Sequence, residues 1–90
     1  MAELIAVNTA QADSADVTLV ITAAATFLLK GGSDSNLPRG TVALLQAKSG
    51  TQYITVGQLD DTKPMLVVNA AGVFRVRKLA SVIAVGVDQN

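Results

Sequence analysis

The sequence of 90 residues contains no cysteine, no histidine and no tryptophan. The absence of cysteine excludes disulfide bonds, and the absence of both cysteine and histidine removes the usual ligands of a structural zinc site. It also removes the groups that most often serve as nucleophile or base in covalent catalysis. The composition therefore argues against an enzyme and predicts no cofactor and no metal site.

Aromatic residues and net charge are also scarce. The chain has two phenylalanines, one tyrosine, and seven basic against seven acidic side chains. Nucleic-acid binding favours an excess of basic residues with stacking aromatics beside them, so no nucleic-acid partner is expected. Half of the residues are hydrophobic, yet a chain of this size buries only roughly 63% of its surface on folding. Burial against further copies or a larger partner is favoured, with a compact monomer as the alternative.

The start of the chain predicts neither export nor membrane insertion. No basic residue precedes the short apolar run at 4–7, so a secretory signal is not expected. The longest weakly polar stretch, 17–29, is shorter than the about 20 residues that a membrane helix needs.

Short runs rich in Val and Ile alternate with turn residues along most of the chain. This pattern predicts an all-β fold, a small antiparallel β-sandwich or barrel of about six to eight strands. Residues 1–16 are interpreted as an extended N-terminal arm and residues 17–90 as a single β-domain. A helix over 23–29 is the competing interpretation of one segment, because Ala and Leu favour helices.

Three features of the second half are specific enough to test. A turn at 48–51 joins two apolar runs and predicts a β-hairpin. Gly57, in the middle of the second run, indicates a bulge or a close neighbouring backbone. In the run 73–78, alternation places Phe74 inside and Arg75 and Arg77 on the opposite face.

Two segments are candidate contact elements. In the arm, Leu4, Ile5 and Val7 form an apolar patch that suits strand addition to a neighbouring molecule, with a frayed terminus as the alternative. The loop 31–40 is long for a compact domain and rich in turn residues, so it is a candidate binding loop. Its polar residues are Asp34, Asn36 and Arg39. Asp34 and Asn36 match only two positions of a calcium loop, so no metal is predicted there.

The candidate chemistry is sparse. Lys48 and Ser49 are adjacent, but neighbouring side chains point apart, and Asp60 and Asp61 fit a solvated turn better than an acid–base pair. Arg75 and Arg77 are the strongest candidates, because two guanidinium groups on one strand face can bind carboxylates of a partner. The alternative is a solvated outer face on which arginine discourages edge aggregation.

The residues 52–57, a polar turn ending at Pro64, the run 71–78 and the closing 86–88 resemble small virion proteins of tailed bacteriophages that decorate or cement the capsid. The resemblance covers about half of the chain. It implies a non-enzymatic protein bound in many copies to the major capsid protein on the capsid exterior, after synthesis in the host cytoplasm. It also implies a homo-oligomer, with a trimer favoured, that stabilises the shell. Decoration proteins have unrelated sequences, so no functional residue is carried over.

Two other functions stay open on the sequence. The first is a tail or fibre-attachment component, which belongs to the same structural class. The second is a small glycan-binding β-module, which the scarcity of aromatic residues makes less favourable.

Overall fold

A computed structural model describes residues 2–31, 37, 40–81 and 83–90. This part of the chain forms nine strands and contains no helix, which confirms the predicted all-β class with one strand more than the upper expected number. The strands are β1 (Ala2–Asn8), β2 (Ala12–Asp13), β3 (Val17–Leu19), β4 (Ala25–Gly31), β5 (Val42–Ser49), β6 (Gln52–Asp60), β7 (Met65–Val68), β8 (Gly72–Lys78) and β9 (Val85–Gln89). No helix long and apolar enough to cross a membrane is found among these described residues.

The strands form two antiparallel sheets, which we call sheet A and sheet B. Sheet A has the order β1-β9-β4-β7, and sheet B has the order β2-β8-β5-β6, with β3 also paired to β8. Strands β6 and β7 are edge strands of different sheets and contact each other. The predicted β-sandwich is confirmed, and the segment 23–29, for which a helix competed, overlaps strand β4.

The core lies between the sheets and is filled from alternating positions of each strand. Phe27 and Leu29 of β4 and Phe74 and Val76 of β8 are all buried, as period-2 alternation predicts. Aliphatic side chains supply most of the remainder, because the chain has only two phenylalanines. The other buried apolar residues are Ile5, Leu19, Ala25, Ala43, Leu45, Leu59, Val85 and Val87.

The predicted hairpin is strands β5 and β6, and its bulge lies beside Gly57. Gly50 supplies a positive φ of 65° at the turn. Leu45 pairs with Gly57 whereas Gln46 pairs with Thr55, so Val56 is the extra residue on β6. The bulge places Gly57 on the inner face with Leu45, not on the face of Thr55 that simple alternation predicts.

Residues 2–16, predicted to form an arm, lie within the sandwich. Strand β1 pairs with β9, and β2 pairs with β8. Ile5 is buried at 5% exposure. A Cβ on Gly86 would lie 2.6 Å from the Ile5 carbonyl oxygen, so only glycine lets β1 approach β9 this closely. The described residues 2–16 therefore belong to the sandwich and do not form a separate arm. Strand β1 occupies the otherwise free edge of β9 in sheet A.

Candidate functional site

Arg77 lies on the outer face of sheet B, as predicted, and is bound by an aspartate of the same chain. Arg77 pairs with Asp13 on the neighbouring strand β2. Its Nε donates to Asp13 Oδ1 over 2.8 Å and its Nη2 donates to Oδ2 over 3.1 Å. This bidentate pair lowers the pKa of the Asp13 carboxyl below its ordinary value, the hydrogen bond from Arg77 being the largest cause.

Arg75 lies beside this pair and contacts three different groups. Its Nε donates to Gln46 Oε1 over 2.8 Å, and its Nη1 lies 3.5 Å from Asp13 Oδ2. The guanidinium also stacks on Tyr53, with Cζ 3.5 Å from the ring centroid. The Tyr53 hydroxyl donates to Asp16 over 2.7 Å, and this hydrogen bond raises the pKa of Tyr53 and lowers that of Asp16.

These contacts make the outer face of sheet B an ordered polar surface in which the charges are largely compensated. Asp13 is shared by Arg75 and Arg77, and Asp16 lies 3.5 Å from Lys48. Each guanidinium is already oriented by partners of its own chain, so binding a new carboxylate means competing with them. The described contacts therefore hold both guanidinium groups in defined orientations.

Strand β8 ends in a third basic residue, Lys78, which lies on the opposite face from Arg75 and Arg77. Lys78 is fully buried, and its Nζ donates to the carbonyl oxygens of Asn8 and Ala10, with the Asn8 bond at 3.0 Å. Burial lowers its pKa. The signal was present in the sequence, because Lys78 has the same parity as Phe74 and Val76 and therefore shares their inner face.

Lys78 fixes the crossing of the chain from sheet A to sheet B. The crossing segment, residues 8–16, also carries Ser14, whose hydroxyl accepts from the Val76 amide over 2.9 Å. The Ser14 amide donates to the Val76 carbonyl over 2.9 Å. We call this flank of the sandwich, covered by residues 8–16, the closed side.

The opposite flank, between β6 and β7, is an open groove that we call the open side. The groove has a volume of about 580 Å³. Its apolar lining comes from the edge strands β6 and β7 and from the inner strands β5 and β8 of sheet B. The apolar lining residues include Leu45, Ala47, Val56, Leu66, Val68 and Phe74.

The exposed apolar side chains concentrate on the same two strands. Ile54 and Val56 of β6 are 52% and 55% exposed, and Met65 and Val67 of β7 are 49% and 59% exposed. Within the described residues these are four of the seven large apolar side chains that remain exposed. Exposed apolar groups gathered at one place are typical of contact surfaces, whereas single ones are ordinary.

The outer face of sheet A carries a compact ion cluster. Lys30 Nζ lies 2.7 Å from Asp88 Oδ1 and 2.9 Å from Glu3 Oε2. These hydrogen-bonding carboxylates, Asp88 before Glu3, raise the pKa of Lys30. The cluster links strands β4, β9 and β1, so its evident role is to hold the N-terminal strand in sheet A.

The predicted contact residues are thus divided by the structure. Leu4 and Val7 are half-buried on β1, and Ile5 is in the core, so Ile5 does not face a partner in this fold. Asp34, Asn36 and Arg39 lie outside the described residues. Arg75 and Arg77 come together on one face as predicted. The described residues contain no group of three or more His, Cys, Asp or Glu side chains arranged to hold a metal ion.

The open side is the feature that sequence reasoning missed. Its residues belong to separate strands, and a sequence does not show which strands become edges. No protein-family model, no curated protein and no solved structure matches this chain.

Proposed function

We propose that this protein is a non-enzymatic structural component of a virus particle, a capsid decoration protein that binds the outer surface of the shell and stabilises it. The observation that supports the proposal most is the concentration of exposed apolar side chains at the open side. A small β-sandwich with such a surface is suited to assembly, because covering the apolar groups removes them from water. The resemblance of the second half of the chain to capsid decoration proteins favours a virus particle as the assembly.

The polar outer face of sheet B is the second surface available for the shell. Arg75 and Arg77 are held in fixed orientations by Asp13, Gln46 and Tyr53. A preorganised face of this kind loses little side-chain entropy on binding, which favours contact with an ordered protein surface. The same arrangement weakens the glycan-binding alternative, because Arg75 covers a face of the only tyrosine in the chain.

Quantitative mass spectrometry of purified particles from the source of this sequence tests the proposal. The copy number of the chain is measured relative to the major capsid protein. Copies comparable in number to the capsid subunits are expected, because decoration proteins repeat with the lattice of the shell. A handful of copies would instead indicate a tail or fibre-attachment component, and absence from the particle would refute the virion assignment.

A further inference from the structure

We propose that Lys78 makes the closed side sensitive to pH, because loss of one proton from its buried ammonium group stabilises the attachment of the crossing segment to β8. The closed side should then become more stable as the solution turns alkaline, which is the reverse of what an ion-paired lysine does. The inference concerns the isolated chain and does not rest on the proposed function.

The Lys78 side chain is removed from bulk water. It has no exposed surface and lies on the inner face of β8 with Phe74 and Val76. Its neighbours across the sheet are small, Ala12 on β2 and Ala43 on β5. The amino group therefore depends on groups of the protein for its hydrogen bonds.

The acceptors of Lys78 are two backbone carbonyls at the start of the crossing segment. They belong to Asn8 and Ala10, and the bond to Asn8 is 3.0 Å long. The carbonyl between them, that of Thr9, accepts from the Ser81 amide over 3.0 Å. Three consecutive carbonyls are thus bound by β8 and the residues that follow it, and two of the three depend on the lysine.

The number of acceptors fits the neutral amine better than the ammonium group. An ammonium group has three N–H donors, and loss of one proton leaves two. Both bonds to the crossing segment can therefore persist after deprotonation, whereas the third donor of the ammonium group has no acceptor among the described residues. A buried donor without an acceptor and a buried charge without a counter-ion both cost free energy, so burial favours the neutral form.

No carboxylate of the described residues forms an ion pair with Lys78. The charged groups on the crossing segment and on the strands around it are bound elsewhere, on the outer faces of the two sheets or in the turn after β6. These groups and their partners are Asp13 with Arg75 and Arg77, Asp16 with Lys48, Glu3 and Asp88 with Lys30, and Asp60 with Thr62. The ammonium charge is consequently compensated only by carbonyl dipoles.

The two lysines Lys78 and Lys30 respond to pH in opposite directions. Burial lowers the pKa of Lys78 below its ordinary value of 10.5, and no charged neighbour opposes this effect. Between the folded-state pKa and 10.5, the unfolded chain binds a proton that the folded chain does not, so the free energy of unfolding rises with pH. The partners of Lys30 raise its pKa, so its contribution is complete below 10.5 and is lost as the pH rises through the higher folded-state pKa.

Urea unfolding of the wild type and of Lys78→Met, from neutral to alkaline pH, tests the inference. Methionine keeps most of the apolar stem but neither titrates in this range nor donates a hydrogen bond. Tyr53 and Lys30 titrate in both proteins, so their effects cancel in the difference. We expect the folding equilibrium constant of the wild type, relative to that of Lys78→Met, to rise about threefold or more between about pH 8 and about pH 11.

The matched control is Lys30→Met. It removes the same charged group, but from the ion cluster on the outer face of sheet A. The difference between the wild type and this variant should stay level up to about pH 10.5 and then shrink, because the folded-state pKa of Lys30 lies above that value. Opposite trends for the two variants separate the effect of burial from a general effect of alkaline solution.

Nuclear magnetic resonance of the lysine side chains gives a readout that requires no variant to fold. The titration midpoint of Lys78, followed at its Cε in the wild type, should lie below 10.5 and below the midpoint of Lys30. A Lys78 midpoint at or above 10.5 would overturn the inference, as would a difference from Lys78→Met that stays flat or falls with rising pH. Neither result bears on the proposed function, which the copy number in purified particles decides separately.

Discussion

The closed side and the open side of the sandwich differ in how the chain covers the apolar space between the two sheets. On the closed side, residues 8–16 of the chain cross from one sheet to the other and cover the flank. Their backbone is fixed by Lys78 and by Ser14, so the polar groups of the crossing have partners inside the molecule. On the open side, the short turn after β6 joins the two edges and leaves an apolar groove between them.

The two sides therefore differ in how completely the described chain covers the space between its own two sheets. A buried ammonium group is costly unless its donors are satisfied, and on the closed side the chain satisfies two of them with its own carbonyls. On the open side, no described segment of the chain covers the apolar groove in this way. Substitutions on the closed side should therefore change the free energy of unfolding strongly, whereas truncations at the exposed positions of the open side should change it little.

The largest effect is expected from Lys78→Ala on the closed side. The substitution removes a fully buried side chain and both hydrogen bonds to the crossing segment, so it should lower the free energy of unfolding by about 3–5 kcal/mol. Lys78→Met, which keeps most of the apolar stem, should cost less, about 1–3 kcal/mol. Val67→Ala on the open side should stay within about 0.5 kcal/mol in the monomer. Urea unfolding at low protein concentration measures all three, and a Lys78→Ala variant as stable as Val67→Ala would contradict the comparison.

Substitutions at two glycines, Gly86 and Gly57, form a matched pair whose expected effects on stability are of intermediate size. A Cβ on Gly86 would meet backbone atoms of β1, at 2.6 Å from Ile5 O and 2.9 Å from Val7 N. A Cβ on Gly57 would meet Leu66 Cδ2 at 2.9 Å, the end of a flexible side chain that lines the open groove. Gly86→Ala should therefore destabilise by about 1–3 kcal/mol and Gly57→Ala by less than about 1 kcal/mol.

Amide hydrogen exchange separates the two glycine variants by location. Gly86→Ala should speed exchange along β1, because the strand must move away from β9, whereas Gly57→Ala should leave β1 unchanged. Equal costs for the two substitutions would show that β6 is packed against Leu66 as tightly as β9 is packed against β1.

The sequence predicted those parts of the fold that depend on local pattern. Alternation correctly separated Phe74 and Val76 from Arg75 and Arg77, and the turn residues around Gly50 correctly located the hairpin. The bulge that Gly57 indicated was also confirmed, and its extra residue is the neighbouring Val56. These features involve residues close together in the chain, for which side-chain period and turn conformation are sufficient.

What the sequence did not reveal depends on pairing between distant segments. Asp13 meets Arg77 only because β2 pairs with β8, and nothing in either segment alone specifies that register. The same holds for β1, whose apolar residues suit the chain's own sheet as well as a neighbour's. Deleting residues 1–16 is consequently no test of an arm, because Ile5 and Ser14 belong to the folded core and its backbone hydrogen bonds.

The smallest effect concerns Asp13, which joins the closed side to the polar face of sheet B. Its pKa is lowered in the folded state, mainly by the Arg77 hydrogen bond, so its contribution is present above the ordinary value of 3.8 and is lost as the pH falls through the lower folded-state pKa. Because the pair is partly exposed, Asp13→Asn should cost less than about 1 kcal/mol at neutral pH, and high salt should reduce the difference. The two proteins should converge in acid, since protonated Asp13 then resembles the amide, and Asp61→Asn in the turn after β6 is the charge-matched control. Urea unfolding across this pH range decides the matter: a gap that persists unchanged in acid would show that Asp13 acts through packing and not through its charge.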